Sequence, residues 1–140
     1  PVKQLESVPH RLQLSRQGGR ILLDDSYNSN KNGFMAALDT LGMFKELRIL
    51  MTPGMVELGE KQYSENKEVG VYAADKCDYA VLVGREQTKP IQDGLLEAGF
   101  ARSRMIVVDS LQEAFQMVNA IPDEKQKVVL IENDLPDNYA

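Results

Sequence analysis

The sequence predicts a doubly wound α/β domain with a mainly parallel sheet, and three observations carry that prediction. Short apolar, β-rich runs recur along the chain; a polar turn closes each; and segments of helical periodicity stand between them. Strand and helix alternate five times without an internal linker, repeat or low-complexity segment. Residues 1–140 are therefore read as one domain, with helices on both faces of the sheet and a hairpin strand at the N-terminus.

The elements follow in order. Arg11-Leu12-Gln13-Leu14-Ser15 alternates polar and apolar side chains and reads as a half-exposed strand. Gln17-Gly18-Gly19 then turns the chain into Arg20-Ile21-Leu22-Leu23, so the two runs are expected to form a hairpin. Phe34, Ala37, Leu38 and Leu41 recur at helical spacing and predict a helix over 33–44, with Gly42 near its stop. A strand over 47–51 ends at Thr52-Pro53-Gly54, residues 55–60 read as a loop or short turn, and a helix follows over about 61–74. Residues 79–84 are the next buried strand, closed by Gly84. A shorter helix over 91–99 carries Leu95, Leu96 and Ala98, with Gly99 as its C-terminal glycine. After a strand over 105–109, Asp109 or Ser110 caps the helix of Leu111, Ala114, Phe115, Val118 and Ile121. Residues 127–132 are the last strand and 133–140 a polar tail.

At 43% hydrophobic and 26% charged residues, the composition is that of an ordinary soluble globular protein. The net charge of −5 argues against nucleic acid or an anionic membrane as the main partner, but not against one phosphate ligand, which local charge decides. No apolar stretch approaches the roughly 18 residues of a spanning helix, and no signal peptide is visible. A single cysteine, Cys77, excludes an internal disulfide and suits a reducing, cytoplasmic compartment; it reads as a structural thiol. A first residue of Pro1 rather than methionine suggests a domain cut from a longer chain.

One stretch, Arg20-Ile21-Leu22-Leu23-Asp24-Asp25-Ser26-Tyr27-Asn28-Ser29-Asn30, organises the rest. An apolar run ends in two carboxylates, short polar residues follow, and a helix begins: the pattern of a buried parallel strand feeding a helix N-terminus. In open α/β sheets ligands bind beyond the carboxyl ends of the strands. That crevice would be lined by Asp24, Asp25, Tyr27, Asn28 and Asn30. The residues alone leave a second reading open, in which Asp24 and Asp25 end a strand and Asn30 caps the next helix.

Several chemistries are excluded. No G-x-x-x-x-G-K-[ST] loop occurs, and no G-x-G-x-x-G follows a strand. The one histidine, His10, rules out a multi-histidine metal site or a histidine triad built within the chain, and alone reads as a surface residue. A phosphoacceptor receiver domain also places two acids after its first parallel strand. It needs an aspartate ending the third parallel strand and a lysine ending the fifth, where this chain has Gly84 and Glu132.

Three motifs in order resemble one family, the Mur ligases of peptidoglycan precursor synthesis. Val8-Pro9-His10-Arg11-Leu12 is similar to the P-H-R segment where the family's ATPase domain meets its C-terminal domain. Asp24-Asp25-Ser26-Tyr27-Asn28-Ser29-Asn30 resembles the D-D-S-Y-N-x-N signature of the MurF type, which adds D-alanyl-D-alanine to a UDP-N-acetylmuramoyl tripeptide. Thr52-Pro53-Gly54-Met55-Val56-Glu57-Leu58-Gly59 is similar to the G-x-M-x-E-L-G turn after the next strand. The resemblance covers nearly the whole chain.

It implies the C-terminal lid domain of an ATP-dependent ligase. A UDP-linked muramoyl peptide would be activated as an acyl phosphate, and D-Ala-D-Ala or a similar amine would displace phosphate. The phosphate loop and the Mg2+ ligands would lie mainly in a central ATPase domain, so this domain alone is expected to hold no catalytic or metal-binding residues and to be inactive. Arg11 would meet the ATP phosphates, Asp25 the ribose, and Tyr27, Asn28 and Asn30 the neighbouring wall. Asn28 and Glu57 would face the substrate, though Glu57 reads first as a residue that holds a neighbouring loop. One departure is plain: where the MurF type carries a basic K-G-S-R-like segment, this chain has Ile131-Glu132-Asn133-Asp134. Two other classes compete. One is a non-catalytic α/β binding or interaction module with a purely structural Asp-rich turn. The other is a divalent-metal site made by Asp24, Asp25 and Glu57 unaided, which requires that they converge.

Overall fold

The computed structural model describes residues 12–26, 30–122 and 126–133. Six strands form one sheet: β1 (Gln13–Gln17), β2 (Arg20–Asp25), β3 (Leu47–Thr52), β4 (Tyr79–Val83), β5 (Met105–Val108) and β6 (Lys127–Glu132). Their order across the sheet is β1-β2-β6-β3-β4-β5, with β1 antiparallel to β2 and every other pair parallel. Among the described residues the α-helices are α1 (Lys31–Gly42), α2 (Gln62–Ala73), α3 (Lys89–Glu97) and α4 (Leu111–Ala120).

The crossovers explain which face each helix takes. From β2 to β5 the chain steps across the sheet in one direction, and right-handed connections put α1, α2 and α3 on one face. From β5 it must travel back to reach the centre, so α4 lies on the other face. Two cores result. Phe34, Leu38, Leu41, Val69, Ile91 and Leu95 pack on Ile21, Leu23, Leu50, Leu82 and Leu130, while Ala114, Val118 and Ile121 pack on Ile49, Met51, Val81 and Val129.

Local chemistry sets the ends of the elements. Gly18 and Gly19, at φ +57° and +82°, make the two-residue turn that aligns Gln17 with Arg20. That pairing extends β1 to Gln17, two residues past the alternation read in the sequence. Ser110, not Asp109, caps α4 by accepting from the Glu113 N–H at 3.1 Å. The α3 helix ends as its glycine predicts: Gly99 sits at φ +90°, its N–H donates to Leu96, and the Phe100 N–H donates to Leu95. At the amino edge of the sheet the Arg48 guanidinium binds both oxygens of Asp78 (3.2 and 3.3 Å) and the Gly42 carbonyl (3.3 Å). The hydrogen bond that Arg48 donates to Asp78 is the main reason the Arg48 pKa is raised. Buried Lys127 donates to Val118 O at 2.9 Å, in the last turn of α4, where a cation complements the helix dipole.

Helices α2 and α3 touch backbone to backbone through two glycines. A Cβ on Gly70 would lie 2.5 Å from Ile91 O, and one on Gly94 would collide with Lys67 O. Overpacking a core costs roughly 1–3 kcal/mol, and backbone atoms cannot rotate aside. Gly94→Ala is expected to lower unfolding stability by at least about 2 kcal/mol in urea titration; a loss under about 0.5 kcal/mol would contradict this contact.

Cys77 is buried, and desolvation pushes its thiol up to about 12. The unfolded chain ionises this thiol from an ordinary value near 9.0, while the folded chain keeps it protonated. Between these values the native state binds more protons, so this thiol makes stability fall as pH rises. Replacing it by Ala is expected to flatten the decline of urea-measured stability between pH 9.0 and 10.5; an unchanged slope would refute that contribution.

Candidate functional site

The register of the sheet builds the candidate site at its carboxyl edge. Asp25 is paired with Glu132 across β2 and β6, and Met51 with Ile131 across β6 and β3. One position on, Thr52 stands beside Glu132. Ile21, Leu23 and Asp25 share the face of β2 that carries the three-helix core, as do Val128, Leu130 and Glu132 on β6. Asp25, Glu132 and Thr52 thus form a row across three adjacent strands, on one face, at 2%, 0% and 0% exposure. The Thr52 hydroxyl donates to Glu132 O at 2.9 Å and accepts from the Gly54 N–H at 3.0 Å. Beyond Glu132 the chain turns sharply: Asn133 adopts φ +71°, and its N–H donates to Asp25 O at 3.3 Å. The Asn133 side chain is 4% exposed, and its oxygen and nitrogen have no hydrogen-bond partner among the described residues.

The sequence-predicted residues divide into three groups. Asp25 lies in the row, as a buried carboxylate. Asp24 points to the opposite face of the strand and accepts from the Ser26 N–H at 3.0 Å, so Asp24 and Asp25 do not converge. That corrects the idea of an unaided metal site made with Glu57; among the described residues no group of three or more histidine, cysteine or acidic side chains is placed to hold a metal ion. Asn30 caps α1, its side chain accepting from the Gly33 N–H at 2.8 Å, which is the helix-capping alternative read from the sequence. Glu57 is exposed, at φ +62°, on the loop after β3. Arg11, Tyr27 and Asn28 lie outside the described residues.

Sequence reasoning missed how that loop is held. Met55 is buried, and Asn66 of α2 meets its backbone twice: Asn66 Oδ1 accepts from Met55 N at 2.9 Å, and Asn66 Nδ2 donates to Met55 O at 3.0 Å. Gln62 repeats the pattern one step outward, accepting from Leu58 N at 3.1 Å and donating to Met55 O at 2.5 Å. Gln87 donates to Pro53 O at 2.6 Å. A signal was present, because Asn66 falls on the same helical stripe as Val69, Gly70 and Ala73, where an apolar residue is expected.

Electrostatically the edge is a set of acceptors. Asp25, Glu132 and Thr52 line it, Glu57 stands outside it, and the amide of Asn133 brings an NH2 group and a further acceptor oxygen. Such a set suits hydroxyl or ammonium groups better than phosphate.

Comparison with known proteins agrees with this architecture. A family profile described as "Mur ligase, glutamate ligase domain" matches residues 10–132. The UDP-N-acetylmuramoyl-tripeptide–D-alanyl-D-alanine ligase of Haemophilus influenzae is 46% identical over 52 residues, which are 37% of this chain and 11% of that protein. The enzyme of that name from Escherichia coli is 34% identical over 84 residues, 59% of this chain and 19% of that protein. Among solved structures, MurF from Acinetobacter baumannii superposes with a TM-score of 0.74 at 22% identity, covering 89% of this chain and 27% of the other. MurF from Thermotoga maritima, solved in complex with ADP, gives 0.70 at 20% identity, covering 91% and 28%. The structural likeness establishes the fold, and the chain spans 11% and 19% of the length of these two curated relatives.

The Asn30 cap can be separated from any ligand role. Asn30→Ala is expected to cost about 1 kcal/mol of stability, whereas Asn30→Asp, which keeps an acceptor at the helix N-terminus, is expected to cost little. Equal losses in chemical denaturation of both variants would mean that something other than the cap sets the role of Asn30.

Proposed function

This chain belongs to the Mur ligase family, as its glutamate ligase domain, and from that premise we propose that it is the C-terminal lid of an ATP-dependent amide ligase of the MurF type. The lid works in the cytoplasm with a central ATPase domain of the same polypeptide, residues 1–140 being one domain of that longer chain. The acceptor is a UDP-N-acetylmuramoyl peptide and the amine is D-alanyl-D-alanine or a close relative. The peptide carboxylate attacks the γ-phosphorus of ATP, the bond to the bridging oxygen breaks, and ADP leaves. The amine then attacks the acyl phosphate, loses a proton and expels inorganic phosphate.

The observation that carries this reading is the acceptor row at the carboxyl edge, in a chain with no phosphate loop. The donor set decides which part of ATP it fits. Carboxylates and a threonine hydroxyl match the vicinal hydroxyls of a ribose, with Asp25 as the first contact, and the buried Asn133 amide has hydrogen-bonding capacity left for a polar group. They do not match a triphosphate, whose charge calls for guanidinium, ammonium, backbone N–H groups or magnesium. Most of that charge is therefore met elsewhere, with magnesium held mainly by the central domain. Arg11 would meet the ATP phosphates, and Tyr27, Asn28 and Asn30 would form the wall beside the nucleotide. Glu57, exposed on its loop, faces the ammonium of the incoming amine, together with Asn28.

The test is turnover by the full-length protein with UDP-N-acetylmuramoyl tripeptide, ATP and D-Ala-D-Ala, followed by amide product and phosphate release. Product is expected from the full chain and none from residues 1–140 alone. Losing a charge-assisted hydrogen bond costs about 1.5–3 kcal/mol. Arg11→Ala and Asp25→Asn should therefore each raise KM for ATP about tenfold or more with the fold intact. Unchanged kinetics in both would remove the site assignment.

A further inference from the structure

The loop from Pro53 to Gly59 has more side chains devoted to holding it than a connection needs. Three of its residues take positive φ: Gly54 at +86°, Glu57 at +62° and Gly59 at +62°. At Glu57 this is strained, since a side chain in the left-handed region crowds its own backbone. Such strain persists only where the surroundings over-determine it. Here they do. The Met55 side chain is sunk in the core at 1% exposure, and its N–H and C=O are gripped together by Asn66, itself 0% exposed. Gln62 ties Met55 O to Leu58 N, on either side of the tip. Gly54 is held in turn by Thr52, whose hydroxyl also reaches Glu132 O in the acceptor row. Between these fixed points only Val56, 49% exposed, and Glu57 project outward.

A loop that merely joined β3 to α2 would gain nothing from an exposed acid in a strained conformation; a glycine there would remove the strain. We infer that Asn66 and Gln62 are positioning residues, a two-part amide clamp that holds Glu57 ready to pair with the ammonium group of the incoming amine. This rests on the ligase reading above and adds the device that gives Glu57 its place. Pre-setting the loop means that the amine does not have to order it on binding, so the clamp acts on amine affinity. Nucleotide affinity and the chemical steps are served by other groups.

The test uses the full-length protein with UDP-N-acetylmuramoyl tripeptide, ATP and D-Ala-D-Ala. Gln62→Ala is the first variant, because Gln62 is half-buried in the first turn of α2 and its loss leaves the core in place. It is expected to raise KM for the dipeptide about tenfold while KM for ATP and kcat stay within twofold; Asn66→Asp, which loses both amide donors, is expected to do the same more strongly. Each effect should shrink to within twofold when introduced into Glu57→Gln, because clamp and carboxylate act as one unit. If the wild type makes product but Gln62→Ala leaves the dipeptide KM unchanged, or raises the ATP KM equally, the clamp is overturned and the ligase reading stands. Full additivity with Glu57→Gln would likewise overturn it. If the wild type forms no amide, both fall together.

Discussion

The pairing of β6 between β2 and β3 is the constraint on which the site depends. Val128, Val129 and Leu130 are fully buried there, with parallel neighbours on both sides and helices over both faces. A strand so placed has no freedom of register, because a shift of one residue would turn its core-facing side chains to the wrong side. That fixed register sets Glu132 beside Asp25, although more than a hundred residues separate them in the chain. It also carries the Thr52 hydroxyl to Glu132 O, tying the end of β3 to the same row. The carboxylate that ends β2 and the end of β3 lie two strand spacings apart, about 10 Å, and Glu132 of β6 is the polar residue that bridges them.

The elements themselves were legible in the sequence because each obeys a local rule. Phe34, Ala37, Leu38 and Leu41 state the period of α1, and all four are buried. Gly99 states the end of α3 through a backbone conformation that other residues resist. What was not legible is what depends on partners distant in the chain. Periodicity says that β6 is a buried strand, not that it enters the sheet at its centre. The Asp24-Asp25 pair shows the same limit: alternation along a strand separates them, yet only the pairing of β2 with β6 decides which one joins the row. Asn30 was legible as a cap because capping is local, acting from Asn30 to Gly33. Asn66 was not, since its partners on Met55 lie eleven residues back across a loop of irregular shape.

The acidic end of β6 takes on meaning from the same geometry. In the place where the resemblance to the MurF type implies a basic segment, Glu132 is buried in the row and Asn133 turns the chain at positive φ. A basic side chain at position 132 would bring a donor to an edge otherwise built of acceptors.

Packing far from that edge reaches the loop through one side chain. Gly70 lies against the Ile91 carbonyl because neither helix carries a Cβ at the crossing, and Ile91 Cδ1 in turn stands 3.4 Å from the Cβ that Gly54 lacks. Asn66 Oδ1 stands 3.2 Å from that same point. The distance between α2 and α3, set by two glycines, thus fixes both the amide that grips Met55 and the isoleucine that walls the turn before it. A wider crossing would draw Ile91 and Asn66 apart and loosen the space that now admits no side chain at Gly54. Core packing and the shape of the loop after β3 are therefore joined through the contacts of Gly54, Gly70 and Gly94.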